Sequence, residues 1–274
     1  MTAVHIIVLL TTGVFVGFAS GLLGVGGGFI MAPVQYFIFM DMGLPSDVAI
    51  KLTFGTNLLV ILFTAVSGTW RHSRKGAVVW KAAVVMGIVG LLFAYVGATL
   101  AAHLPGDVLK IGFGVIVLVA SARMLIARTK QIEQEPVNSL WLWLAWAVPI
   151  GIITGMFGIG GGVVAVPVMV LALRFKIHNA VATSLAMIIF NSTGGIIGYI
   201  VNGLAVPGLP PYSIGYVNLL SGFLLVIGSV GMAQVGAIAA HKVPAKQLRL
   251  VFALLMFYIG LKMIGVFDWL GWPV

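Results

Sequence analysis

Residues 21–34 read GLLGVGGGFIMAPV and residues 155–168 read GMFGIGGGVVAVPV. Gly21, Gly24, Gly26, Gly27, Gly28, Pro33 and Val34 recur in register as Gly155, Gly158, Gly160, Gly161, Gly162, Pro167 and Val168. Both copies lie inside long apolar stretches. Backbone that leaves the helix at membrane depth survives only where protein buries it or where it lines a cavity. A pair of such breaks, one per half, is the best pointer in a sequence to a transporter's binding site. The motif therefore predicts a duplicated membrane chain with two glycine-broken helices.

Composition supports this. Sixty-one per cent of residues are hydrophobic and 8% charged, with a mean hydropathy of +1.17, which excludes a soluble domain. The apolar segments reach the roughly 20 residues that a helix needs to cross the hydrocarbon core. The ten-residue alternation of a membrane β-barrel is missing. The expected fold is an all-α polytopic membrane protein. A net charge of +9 suggests nucleic acid at first sight, but the basic residues sit in short loops between spans, where they set orientation. No cysteine is present, so disulfides, thiol catalysis and Cys-based metal sites are excluded. The apolar N-terminal stretch has no Lys or Arg ahead of it and is read as mature structure, not as a signal peptide.

The repeat extends past the glycines. Thr56, Leu58, Gly68 and Gly76 align with Thr183, Leu185, Gly195 and Gly203, and Gly97, Pro105 and Phe113 with Gly236, Pro244 and Phe252. The reading gives a first repeat over residues 1–130, a polar cytoplasmic linker at 131–139 and a second repeat over 140–274. Each repeat has a broken segment (4–40 and 140–173) followed by three spans: 48–69, 77–100 and 107–127, then 179–201, 215–238 and 246–266. About five helices per half are expected, the second of each being short or re-entrant near the midplane.

Charge counting sets the topology. If each broken segment enters and leaves on one side, Arg71, Arg74, Lys75, Lys81, Arg123, Arg128, Lys130, Arg174, Lys176, Lys242, Lys246 and Arg249 share the inside. That is twelve of the fifteen basic residues. If each broken segment crosses once, the split becomes seven against eight. The positive-inside rule selects the first arrangement, and with it two halves of opposite orientation, an inverted repeat.

Gly26–Gly28 and Gly160–Gly162 each precede an apolar helical run. A helix start presents free N–H groups and the positive end of the macrodipole, and glycine lets a ligand approach them. The result is an anion cradle without a charged side chain; close helix packing is the plainer use of the same glycines. A nucleotide loop is excluded, because Phe29-Ile30 and Val163-Val164 stand where Lys-Ser/Thr is needed. Polar residues within spans are Thr53, Thr56 and Asn57, then Thr183, Ser184, Asn191, Ser192 and Thr193. Thr56-Asn57 and Thr183-Ser184 are repeat mates whose donors are expected to meet near the two-fold axis. Gln35 has Met169 as its mate. All six carboxylates and all five histidines fall in loops or near span ends, so an intramembrane acidic relay, a metal centre and an enzyme active site are not expected.

With two GxxGxGGG motifs, each followed five residues later by proline, and with Gly-Thr-Asn-Leu (55–58) and Ala-Thr-Ser-Leu (182–185) downstream, the chain resembles the sulfite exporter TauE/SafE family. The resemblance implies transport of small, often organosulfur or sulfur-oxy, anions such as sulfite, sulfoacetate or thiosulfate, with export the expected direction. It implies substrate binding at Gly24, Gly26, Gly27, Gly28, Gly158, Gly160, Gly161 and Gly162, and more loosely at Thr56, Asn57, Thr183 and Ser184; the residue reading adds Asn191. The expected partners are a small anion and the lipid bilayer of a bacterial or archaeal cell membrane, with no cofactor and no nucleic acid. Homo-oligomerisation stays open, as do an anion channel and a membrane enzyme or assembly factor handling sulfur compounds.

Overall fold

A computed structural model describes residues 1–23, 27–126, 136–239 and 245–269. Among these residues are ten helices of ten residues or more. The first five are α1 (Ala3–Leu23), α2 (Gly28–Asp41), α3 (Ser46–Ser73), α4 (Trp80–His103) and α5 (Gly106–Ile126). Then come α6 (Leu140–Phe157), α7 (Gly162–Leu171), α8 (Ile177–Gly203), α9 (Leu219–Ala239) and α10 (Ala245–Ile264), followed by a single turn, α11 (Val266–Trp269). The fold is all-α, and the second helix of each half is short: 14 residues in α2 and 10 in α7.

The breaks have a local cause. Gly27 caps α2 at φ 53° and Gly161 caps α7 at φ 71°, a left-handed geometry that costs other residues about 1–2 kcal/mol. Pro33 and Pro167 stand at the same position inside these helices, each removing one i→i−4 bond. One expected boundary is corrected. Residues 213–218 form a two-stranded hairpin, β1 (Ser213–Ile214) with β2 (Val217–Asn218), paired Ser213 to Asn218 and Ile214 to Val217. The following helix starts at Leu219, not at 215. Asn218 sets that start: its Oδ1 accepts the N–H of Ser221 at 2.9 Å, as an N-cap side chain does.

Among the described residues five helices, α3, α4, α5, α6 and α8, are long and apolar enough to span a membrane. In α3 and α8 the apolar window is 72% and 67% buried, against 28–39% in the other three, so α3 and α8 form the centre. Helix α5 turns Val108, Ile111, Val115 and Val119 outward. That three- and four-residue spacing is one helical face, and in a bilayer it meets lipid.

The bundle has an acidic and a basic end. At the acidic end His5 Nε2 meets Asp41 Oδ2 at 2.8 Å, joining the start of α1 to the end of α2. There also Asp47 Oδ1 accepts the Gly106 N–H at 2.7 Å. At the basic end Val137 N donates to Leu173 O at 2.9 Å, joining the entry to α6 with the exit from α7. Val79, before α4, donates to Thr183 Oγ1 near the start of α8 at 3.0 Å. At the far ends of the same helices Asn202 Nδ2 donates to Thr99 Oγ1 at 3.0 Å. Hence α4 and α8 run in the same direction. The α1–α2 hairpin opens toward the acidic end and the α6–α7 hairpin toward the basic end.

Packing crosses between the halves: α1 lies on α9, α6 lies on α4, and α5 pairs with α10. Repeat mates make matched contacts. Gly17 sits on the Ser229 backbone of α9, and Gly151 sits on the Gly90 backbone of α4. Glycine is required at these crossings because the opposing carbonyl occupies the place of a Cβ.

Candidate functional site

The two breaks meet at Asn57. Its Nδ2 donates to Gly28 O at 2.9 Å and to Gly158 O at 2.6 Å, tying the start of α2 to the end of α6. Both partners are carbonyl oxygens, so the amide nitrogen must face them. A Cβ on Gly28 would lie 2.8 Å from Ile61 Cδ1, 3.1 Å from Asn57 Nδ2 and 3.6 Å from Ile159 Cα. A Cβ on Gly158 would lie 2.7 Å from the Phe54 backbone, and one on Gly160 would lie 2.7 Å from the Ile61 side chain. Gly28, Gly158 and Gly160 are therefore gathered around Asn57 and Ile61 on α3.

The helix starts at the breaks are built alike. Gly27 O accepts from the N–H groups of Ile30 and Met31 at 3.1 and 3.4 Å. Gly161 O accepts from those of Val164 and Ala165 at 3.0 and 2.7 Å. Helix α2 runs from its glycine toward the acidic end and α7 from its glycine toward the basic end. The positive ends of both short helices thus point into the interior. Among the sequence-predicted residues, Gly27, Gly28, Gly158, Gly160, Gly161 and Gly162 are buried in this region. Gly24 and Gly26 lie outside the described residues.

The glycines also carry a steric demand. A Cβ at Gly27 would collide with Val16, and one at Gly161 with the hydroxyl of Thr154. Gly158, Gly160 and Gly161 have φ of 62°, 70° and 71°. These demands hold with or without a ligand.

The threonines do not meet each other. Thr56 Oγ1 accepts the N–H of Asn218 at 2.9 Å, just before α9. Thr183 Oγ1 accepts the N–H of Val79 at 3.0 Å, just before α4. Thr56 thus holds the start of α9, and Thr183 the start of α4. Ser184 donates to the Val181 carbonyl in its own helix at 2.9 Å. Asn191 is fully buried with neither amide atom hydrogen-bonded among the described residues, and it packs on Gly90 of α4. Gln35 has both side-chain polar atoms buried and unpartnered among the described residues, as are Thr53 Oγ1 and Asn57 Oδ1. The sequence reading overlooked Asn218, although an Asn immediately before an apolar run is a helix-start signal. Among the described residues no group of three His, Cys, Asp or Glu could hold a metal ion.

Comparison with known proteins gives a consistent answer. The family model for sulfite exporter TauE/SafE matches residues 9–263. A protein of Methanocaldococcus jannaschii described as a probable membrane transporter is 31% identical over 259 residues, covering 93% of this chain and 94% of that one. A probable membrane transporter of Haemophilus influenzae is 27% identical, covering 94% and 97%. The Bacillus subtilis probable membrane transporter YunE is 27% identical, covering 96% and 99%. No solved structure matches. Taken with an all-α fold and, among the described residues, five helices long and apolar enough to span a membrane, the match over nearly the whole chain makes this multi-pass membrane protein a member of the TauE/SafE family of membrane transporters.

Proposed function

We propose that the chain exports small organosulfur or sulfur-oxy anions, such as sulfite, sulfoacetate or thiosulfate, by alternating access around a midplane site. The observation that carries this reading is the convergence of two short helices, α2 and α7, whose glycine-capped starts point into the interior from opposite ends. Free N–H groups and the macrodipole at such starts favour an anion. The anion would lie among Gly24, Gly26–Gly28, Gly158 and Gly160–Gly162.

The neighbouring polar groups bear differently on this site. Asn57 spends both amide hydrogens on Gly28 and Gly158, so it shapes the breaks and gives an anion no donor. Thr56 and Thr183 act by holding helix starts. Asn191 keeps an uncommitted amide and is the side chain best suited to reach substrate.

The proposal includes an inverted repeat, residues 1–130 against 140–274 joined by the linker 131–139, with the basic end cytoplasmic. The opposite openings of the α1–α2 and α6–α7 hairpins support it. So does the placement of Asp41, Asp47 and Asp107 at one end and Arg71, Arg74, Arg174 and Lys176 at the other. Rocking of one half against the other would expose the site to each side in turn.

The test is counterflow in proteoliposomes with sulfite, thiosulfate and sulfoacetate, against acetate and chloride. Counterflow of a sulfur anion supports the transporter; uncoupled conductance without counterflow replaces it with a channel. Orientation is read by single-cysteine labelling, since the chain has no native cysteine. A cysteine at Ser73 reacting from outside would overturn the assigned sidedness.

A further inference from the structure

The seam between α2 and α3 carries a ladder of polar atoms that the anion site does not use. Asn57 Oδ1, Thr53 Oγ1 and both polar atoms of Gln35 are buried without a hydrogen-bond partner among the described residues, and all three residues are fully inaccessible. They share one seam. Thr53 is four residues before Asn57, on the same face of α3. Gln35 is seven residues after Gly28, hence on the same face of α2 as the glycine that packs on Asn57. At 1.5 Å per residue, Thr53 lies about 6 Å and Gln35 about 10 Å from the Asn57 level, both toward the acidic end. A helical side chain leans toward its own N-terminus, which for α2 means down from Gln35 toward Thr53.

The polarity of the ladder is fixed by Asn57. With both amide hydrogens donated to Gly28 O and Gly158 O, what it presents to the seam is an acceptor alone. At Asn57 itself an anion is repelled and a cation is attracted. Thr53 supplies a hydroxyl oxygen and Gln35 a carbonyl oxygen, with no carboxylate in the set. Neutral oxygens suit a monovalent cation, since a buried divalent charge without a carboxylate is far costlier. We infer that Asn57 Oδ1, Thr53 Oγ1 and Gln35 Oε1 bind a sodium ion. Its use as the coupling ion rests on the proposed transport reading; its binding does not.

The second half supplies the controls. The repeat mates of Gln35 and Thr53 are Met169 and Ala180, both fully buried. Gln35→Met and Thr53→Ala thus install residues that the fold already accepts at the matching places. The test is binding of radioactive sodium to the purified full chain, with choline as the replacement cation and no sulfur anion present. Saturable binding to the wild type, weakened at least tenfold in a monodisperse Gln35→Met/Thr53→Ala double variant, is the expected result. Absence of saturable binding to the wild type would overturn the inference and leave a seam that takes only water. Wild-type affinity in the folded double variant would overturn the assignment of these oxygens. Anion binding is measured separately in choline buffer, so loss of one reading leaves the other standing.

Discussion

The two short-helix seams begin alike and diverge within two turns. In both, a left-handed glycine caps the short helix, a proline follows at the sixth position, and a threonine on the adjoining long helix holds the start of a helix from the other half. Beyond that frame the chemistry separates. The α2–α3 seam carries Gln35, Thr53 and Asn57, whereas the α7–α8 seam carries Met169, Ala180 and Ser184, the last bonded within its own helix. What the halves share builds the breaks, and what they do not share is where ligand chemistry is free to differ. The second half keeps its uncommitted polar groups elsewhere: Asn191 and Ser192, buried and unpartnered among the described residues, with Asn191 against α4.

The largest effect is expected at the point where the frame and the difference coincide. Asn57→Leu removes two buried hydrogen bonds to backbone carbonyls, with a cost of about 1–3 kcal/mol for a carbonyl left without a partner. Its mate, Ser184→Ala, removes one local bond whose loss costs about 0.5–1.5 kcal/mol at most. Thermal unfolding in detergent should therefore separate the two variants by several degrees. Equal melting temperatures would mean that Asn57 is no clamp and that the seams differ less than their contacts imply.

A comparison of two glycines sharpens the steric part. Gly158 and Gly76 have similar φ, 62° and 64°. A Cβ at Gly158 would meet the Phe54 backbone at 2.7 Å, while one at Gly76 would meet nothing within 4 Å. Gly76→Ala should cost only the left-handed penalty of about 1–2 kcal/mol. Gly158→Ala should add an overpacking cost of about 1–3 kcal/mol. If the two variants unfold alike, the α6 break yields to a side chain, and valine substitution in the glycine runs becomes a cleaner probe of ligand approach than the packing now allows.

Next come the matched threonines. Thr56→Val and Thr183→Val each strand one N–H at a helix start, at about 1–3 kcal/mol. The two destabilisations should agree with each other, because the two contacts are repeat mates. A large inequality would break the frame argument on its own terms.

Much of this is legible in the sequence. The paired glycine runs marked both breaks, because glycine is the residue that reaches left-handed φ without penalty. Apolar length marked the long helices, and the loop charges separated the two ends. The site was less legible because spacing along a helix gives a face but not what that face meets. Thr56 and Thr183 were recognised as polar and paired. Their partners, the N–H groups of Asn218 and Val79, lie 162 and 104 residues away. The sequence presents Asn57 as a donor to a ligand; only its contacts reveal that its donors are already committed. The 213–218 hairpin escaped because its apolar residues continue the pattern of the helix behind it.

The smallest effects belong to two of the three aspartates at the acidic end, and the third differs from them. Asp41 pairs with His5 and Asp107 with Lys110, both at 2.8 Å, but the two aspartates are 74% and 79% exposed. Exposed pairs contribute about 0–1 kcal/mol, so Asp41→Asn and Asp107→Asn should leave both the melting temperature and transport close to wild type. Asp47 has two tasks: Oδ1 takes the Gly106 N–H at 2.7 Å and Oδ2 takes the Lys51 ammonium at 2.8 Å, on a lysine side chain only 6% exposed. Burial, and then the negative charge of Asp47, also push the Tyr216 phenol above its usual range, keeping it neutral. The matching loop of the second half, at the basic end, holds Arg174 and Lys176 where the first holds Asp41 and Asp47, so no second-half residue can substitute. Asp47→Asn keeps an acceptor for Gly106 but leaves Lys51 without its counter-charge in a buried place. A measurable stability loss is therefore expected for Asp47→Asn alone among the three, with anion counterflow per folded molecule retained. If Asp41→Asn or Asp107→Asn abolishes counterflow while the protein stays folded, that carboxylate belongs to the transport pathway, and the acidic end is more than an anchor.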